Sequence, residues 1–271
     1  MSVGAECVAG WDDGLVRTRV MDGWRLAMGT LTIIPVPPPG RVDRGVAGAA
    51  AAVGPLAFAP VALVAAGVGG GASAVVPDLV AALLLVGVVA WLTRAIHLDG
   101  LADTADGLGS GRPPGQALEI MRRGDTGPMG VVTLIVVLGL QVASAAVLLG
   151  RPWGWLAVAV ALCAGRGALV IAGRRGVRPA RSDGLGAVFA SSVRVPAAGI
   201  VWLVLAGLLV SASWLMSVPW WQGLVAAALG AALAAYLVHR ACRRLGGITG
   251  DVLGASIELA ATGVLVVLAT G

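Results

Sequence analysis

Three aspartates, Asp99, Asp103 and Asp106, are spaced i, i+4, i+7 in the stretch HLDGLADTADGLG. At about 100° per residue a helix brings their directions within roughly 60° of one another, so one face carries three carboxylates over about 10 Å. Like charges stacked that closely repel, and a divalent cation is the usual agent that neutralises them. A metal site is the first expectation. The polar stretch runs on from His97 to Gly130, and it interrupts an otherwise apolar sequence between two segments that each read as membrane spans.

The elements that must position these carboxylates follow from composition. Of 271 residues 58% are hydrophobic and only 12% charged, with a mean hydropathy of +0.92, against roughly 25% charged residues in soluble proteins. The fold class expected is all-α, a polytopic integral membrane helix bundle of about seven transmembrane helices forming a single domain, residues 1–271, with a polar N-terminal tail over 1–21. The apolar runs are rich in Ala and Gly, the small residues that let helices approach closely in lipid. Spans are expected at 46–68, 76–96, 129–150, 153–173, 196–217, 223–239 and 252–270, each near the length needed to cross. Trp24 to Val36 is too short at 13 residues, ends among prolines, and is expected to be re-entrant or interfacial. No apolar core follows a basic region in Met1 to Val20, so no cleavable signal is expected.

Basic residues fix an orientation. The chain carries 19 of them, all arginine, and they concentrate in alternate loops: before the first expected span, between the second and third, between the fourth and fifth, and between the sixth and seventh. The intervening loops are nearly bare, which places the arginine-rich side and the N-terminus in the cytoplasm. The arginines are scattered without aromatic interleaving, so no nucleic-acid partner is expected. Cys7, Cys163 and Cys242 form no closely spaced pair and suggest neither a disulfide framework nor a zinc knuckle. Trp153, Trp155, Trp220 and Trp221 mark span ends as interfacial anchors.

Three cytoplasmic loops then meet at one membrane face: the acidic stretch, the block RPARSDGLG, and LGGITGDVLGASIE, whose Asp251 and Glu258 share a helical face. HLDGLADTADG, EIMRRGDTGPMG, RPARSDGLG and LGGITGDVLGA, in that order and preceded by LTIIPVP, together resemble the cobalamin synthase family, the adenosylcobinamide-GDP ribazoletransferases. The resemblance spans about Leu26 to Glu258. It departs at Arg123 and Asp125, where family members are expected to carry an acidic and a basic residue respectively.

The resemblance implies a transferase of the bacterial inner membrane with its site facing the cytoplasm, and Mg2+ as cofactor. Its substrates would be adenosylcobinamide-GDP and α-ribazole or α-ribazole 5′-phosphate, with GMP as the leaving group. On this reading Asp99, Asp103 and Asp106 hold the metal and Asp251 completes its shell from another helix. His97 is the candidate base, and Gly100 and Gly107 let backbone approach phosphate closely. Arg122, Arg123, Arg178 and Arg181 are candidate phosphate clamps, with Asp125 beside them. Arg166 lies in mid-span, where a charge is costly unless it faces a polar interior, so it should point to carboxylates or to phosphate.

Two other classes share some of these features. A transporter would often show repeats with broken helices in matching positions, and DGLADTADG has no second copy. A CDP-alcohol phosphotransferase uses clustered aspartates in the same way but lacks the SDGLG and GGITGDVLGA blocks. With seven spans, reporter fusions after Gly271 and at Gly109 give opposite signals; matching signals would show the count to be off by one.

Overall fold

The computed structural model describes residues 13–270. Among them the chain is helical throughout, with twelve helices: α1 Asp13–Leu31, α2 Arg44–Ala72, α3 Asp78–Leu92, α4 Ile96–Gly109, α5 Pro114–Ile120, α6 Pro128–Leu149, α7 Gly154–Arg166, α8 Ala168–Ala172, α9 Gly184–Phe189, α10 Val195–Leu215, α11 Trp221–Leu245 and α12 Gly250–Ala269. Six elements are long and apolar enough to cross a membrane: α2, α6, α7 continued by α8, α10, α11 and α12. The all-helical membrane bundle expected from composition is what the chain forms.

The second expected span is where the structure differs. α3 has 15 residues and reaches about 22 Å, short of the roughly 30 Å hydrocarbon core. The chain then turns 90° into α4. The corner is made by Arg94 and Ala95 in the left-handed region, φ 56° and 53°, which is strained for residues with a Cβ. Tertiary contacts hold it: the Ile33 N–H donates to Leu92 O at 2.7 Å, and Arg94 Nη2 donates to Gly29 O at 3.2 Å. α4, with three aspartates in 14 residues, is neither long nor apolar enough to be a span by itself. The turn keeps its carboxylates from continuing along the axis of α3, where lipid would penalise them.

At the N-terminus, the interfacial segment is part of something longer. Residues 24–31 continue a helix begun at Asp13, so the expected polar tail is helical over 13–21; its first twelve residues, Cys7 among them, and Gly271 lie outside the described residues. Asp22 is buried on α1, accepts from the Gly40 N–H at 2.9 Å and lies 3.6 Å from Arg25. This ties the proline-rich stretch back onto the helix. Asp43 then caps α2, its Oδ1 accepting from the Val46 N–H at 2.8 Å.

α12 is the most buried of the spans and is packed on by α4, α6, α7 and α11. Small residues make this possible, since without a hydrophobic drive between helices in lipid the contact must come from close packing. At Gly100 a Cβ would stand 2.8 Å from Asp251 O, and at Gly254 one would stand 3.1 Å from His97 Cα. The backbones of α4 and α12 therefore touch on both sides of the contact. Gly100→Val should separate the two helices and abolish activity while the other spans still insert, whereas wild-type turnover in that variant would show the contact to be dispensable.

Candidate active site

Local sequence brings three loops together around the α4–α12 contact. Gly246, at φ 83°, ends α11, and the chain reverses through Ile248 into α12. Ile248 forms a short parallel bridge with Pro179: its N–H donates to Arg178 O and its carbonyl accepts from the Ala180 N–H, both at 2.9 Å. The RPARSDGLG block is thus stitched to the start of α12, and at Gly186 of α9 a Cβ would stand 2.6 Å from Ile248 O and 2.7 Å from Thr249 Cα.

α4 is the helix its aspartates predicted, yet they do different jobs. Asp106 is buried and both of its oxygens are taken: Oδ2 accepts from the Gly127 N–H at 2.7 Å and Oδ1 from the Gly130 N–H at 2.9 Å. These are orphan donors at the N-terminus of α6, where a carboxylate also meets the favourable end of the helix dipole. Asp106 is therefore a clasp between the acidic motif and DTGPMG. Asp103 is buried and differently placed. Burial first, and then the negative charges of Asp99, Asp251 and Asp106, push its carboxyl up to about 6, against the pull of Arg181. Asp99 is exposed and lines a cavity together with Asp251 and His97.

Asp251 is not the cap of α12. Thr249 takes that role, its Oγ1 accepting from the Val252 N–H at 3.3 Å while donating to Asp251 Oδ2 at 3.1 Å. That leaves the second oxygen of Asp251 to the two hollows it lines. One is the cavity shared with Asp99. The other is an open cleft of about 420 Å3 whose polar wall is Arg122, Arg181, Asp183 and Thr249. Arg181 is anchored through Nη2 on Leu118 O, and Arg122 Nη2 lies 3.2 Å from Asp183 Oδ2.

The remaining expected site residues fall elsewhere. Arg123, Asp125 and Arg178 are exposed and line neither hollow. Gly107 faces α5, where a Cβ would meet Met121 Sδ at 2.7 Å and Ala117 O at 3.3 Å, and Gly100 faces α12. Helix packing, rather than access of phosphate to backbone, is what both glycines provide.

Arg166 is 1% exposed and sits with its Cζ 3.3 Å from the centroid of the Phe58 ring, donating to Leu162 O at 3.0 Å. Glu258 lines the same space, which is only about 10 Å3 and too small for a phosphate, and Arg166 Nε and Nη2 make no hydrogen bond. Glu258 in turn accepts from Gln141 Nε2 at 2.8 Å, and His97 Nδ1 stands 4.0 Å from its other oxygen. His97 thus has a buried acid on one side and the Asp99–Asp251 cavity on the other.

Gln141 and Phe58 escape the sequence, and Asp183 is included only as a member of the RPARSDGLG block, without a role. An amide within the apolar run of α6 is a detectable signal, because a polar group in a span needs a partner. Phe58 carries none.

As donors for a divalent cation, the groups present are hard oxygens, which suits Mg2+. Among the described residues no three of His, Cys, Asp and Glu are close enough to ring an ion by themselves. Mg2+ is usually held by one or two carboxylates with phosphate oxygens and water, and Asp99, Asp103 and Asp251 fit that smaller demand. Asp106 is already committed to α6.

The family model for cobalamin-5-phosphate synthase matches residues 23–269. A protein of Nocardioides sp. named adenosylcobinamide-GDP ribazoletransferase is 43% identical over 240 residues, 88% of this chain and 94% of that one. Proteins of the same name from Frankia casuarinae and Bradyrhizobium diazoefficiens are 36% identical over 259 residues and 42% over 189, covering 90% and 69% of this chain and 93% and 68% of theirs. No solved structure matches the chain.

The geometry separates the aspartates experimentally. Asp106→Asn keeps one acceptor but loses the other and the charge, so thermal unfolding in detergent should show a loss on the order of 1–3 kcal/mol. Asp103→Asn removes a carboxylate whose ionised form the fold disfavours, and should leave the unfolding temperature unchanged or raise it. Equal destabilisation by both would remove the distinction between clasp and site.

Proposed function

Because the chain belongs to the cobalamin-5-phosphate synthase family, we propose that it transfers the adenosylcobinamide phosphate group of adenosylcobinamide-GDP to a ribose hydroxyl of α-ribazole or its 5′-phosphate. The hydroxyl oxygen bonds to the cobinamide-side phosphorus, the bond from that phosphorus to the bridging oxygen breaks, GMP leaves with that oxygen, and the hydroxyl proton passes to a base. The observation that carries this reading is the sharing of Asp251 by two hollows of opposite lining, an arginine-walled cleft and a largely apolar cavity.

Each part has a task that its chemistry suits. Arg122 and Arg181 bind the pyrophosphate, where guanidinium donors make charge-assisted bonds to phosphate oxygens. Asp183 holds Arg122 in the cleft before substrate arrives. One or two of Asp99, Asp103 and Asp251 would hold Mg2+ together with phosphate oxygens and water, and the ion would supply neutralisation of charge on the phosphates. His97 takes the hydroxyl proton, with the Glu258 carboxylate 4.0 Å behind its Nδ1. Thr249 fixes Asp251 in rotamer through its hydroxyl. On this reading the enzyme sits in a bacterial inner membrane with its site on the cytoplasmic face, which the apolar helices and the arginine-rich loops around the site support.

The experiment is turnover by the purified full chain with adenosylcobinamide-GDP and each acceptor, with and without Mg2+. Complete cobamide and GMP should form only when the metal is present. Asp251→Asn should fold normally, since Thr249 and not Asp251 caps α12, and should be nearly inactive. Wild-type rates in that variant would remove Asp251 from the site, and metal-independent turnover would remove Mg2+.

A further inference from the structure

The cavity that holds Asp99 and Asp251 on one wall is apolar on the others, and its size and lining go beyond what a metal and a phosphate need. Its volume is about 140 Å3, close to the roughly 150 Å3 cavity lined by Leu, Ile and Phe that takes up benzene. The apolar walls come from four helices: Leu31 of α1, Leu169 of α8, Phe189 of α9, and Leu253 and Ile257 of α12, every one of them buried. His97 lies at the polar end, 5% exposed, with its Nδ1 toward Glu258 and the rest of its ring toward the cavity. An apolar pocket with a few convergent polar groups at one end is the usual form of a small-molecule site.

We infer that this cavity seats the aromatic base of the acceptor nucleoside, with the ribose turned toward Asp99 and Asp251. The inference rests on the transferase reading above. Three arguments select this occupant among the parts of the two substrates. The corrinoid is far too large. Guanine carries hydrogen-bonding groups around its edge, and seating it against leucine, isoleucine and phenylalanine would leave them unpaired. The benzimidazole of ribazole presents a hydrocarbon edge, which apolar walls match and a ring-sized space admits.

Position agrees with chemistry. The cavity and the arginine-walled cleft share Leu185, Gly250 and Asp251, so a base in one and a pyrophosphate in the other bring ribose hydroxyl and phosphorus together beside Asp251. The two hollows then divide the substrates: the cleft reads charge and the cavity reads shape and the absence of polar groups. Specificity for the base is set in the cavity, by residues of α1, α8 and α9 that take no part in the phosphate chemistry.

Thr30 lines the same cavity from α1, is half-buried, and spends its hydroxyl on Leu26 O within its own helix. Thr30→Phe puts a ring into the space, and Thr30→Val is the control without bulk. KM is measured on the full chain for adenosylcobinamide-GDP, for α-ribazole, and for a riboside whose base is a bare imidazole. Thr30→Phe is expected to raise the KM for α-ribazole by about tenfold or more while the donor and the imidazole riboside keep theirs, and Thr30→Val is expected to behave as wild type. An equal rise for both acceptors, or a rise for the donor, would overturn the assignment. Thr30→Leu makes the same test with less bulk where the phenylalanine variant does not fold. A wild type that turns over neither acceptor would overturn the transferase reading. Binding of α-ribazole alone, followed by tryptophan fluorescence, then decides the cavity: loss of binding in Thr30→Phe supports it, and equal binding by both proteins overturns it.

Discussion

The backbone contact between α4 and α12 is the constraint on which the site depends. Carboxylates at the edge of a membrane bundle must be close enough to act on one phosphate and yet not exposed to lipid. Gly100 and Gly254 meet that demand by letting the two helices touch, with Asp251 O and His97 Cα where side chains would otherwise stand. Asp99, Asp103, Asp251 and His97 all take their positions from this contact. The 90° corner before α4 follows from the same demand, because a helix continued straight from α3 would run its aspartates past the start of α12. Two non-glycine residues in the left-handed region cost something on the order of 1–2 kcal/mol each, and the bond from the Ile33 N–H to Leu92 O and that from Arg94 to Gly29 O of α1 offset part of that.

Behind the site lies a second set of charges with a different purpose. Glu258, Gln141 and Thr262 join α12 and α6 in the core, with Gln141 Nε2 reaching Thr262 Oγ1 at 3.1 Å as well as Glu258, and Arg166 of α7 lines the same small space as Gln141 and Glu258. A lone arginine there would be severely disfavoured. The Phe58 face, the Leu162 carbonyl and the charge of Glu258 compensate. The network also explains how a carboxylate of α12 stays fixed beside His97: Gln141 holds one oxygen and leaves the other toward the imidazole.

What the sequence discloses and what it hides divide along a physical line. Periodicity places Asp99, Asp103 and Asp106 on one helix, hydropathy yields the spans, and the arginine-rich loops do converge. Those signals are local or additive. The task of Asp106 is neither, since it needs the N–H groups of Gly127 and Gly130 to arrive from a loop more than twenty residues on. The corner at Arg94 and Ala95 is hidden for another reason: the run VVAWLTRAIHL holds no glycine or proline to mark a break, and the conformation is held by contacts with the end of α1 and the residues after it. Gly100 and Gly107 announce close approach without saying to what. For Arg166 the mid-span charge foretold a polar partner, and Glu258 was already visible on the face it shares with Asp251; only Phe58 had no signal.

The charges of the molecule are graded by how readily they can be exchanged. In the core, Arg166 is held by the Phe58 face and the Leu162 carbonyl and Glu258 by Gln141, all buried, so those charges have no solvent to exchange with. At the cleft, Arg122 and Asp183 are both exposed, and an exposed pair contributes no more than about 1 kcal/mol. A phosphate oxygen arriving at Arg122 therefore displaces Asp183 at little cost, whereas it could never draw Arg166 from beneath Phe58. Asp103 stands between these extremes, half held by burial and repelled by its own neighbours. The fold keeps its fixed charges where they orient helices and side chains, and its exchangeable ones where the proposed donor would bind.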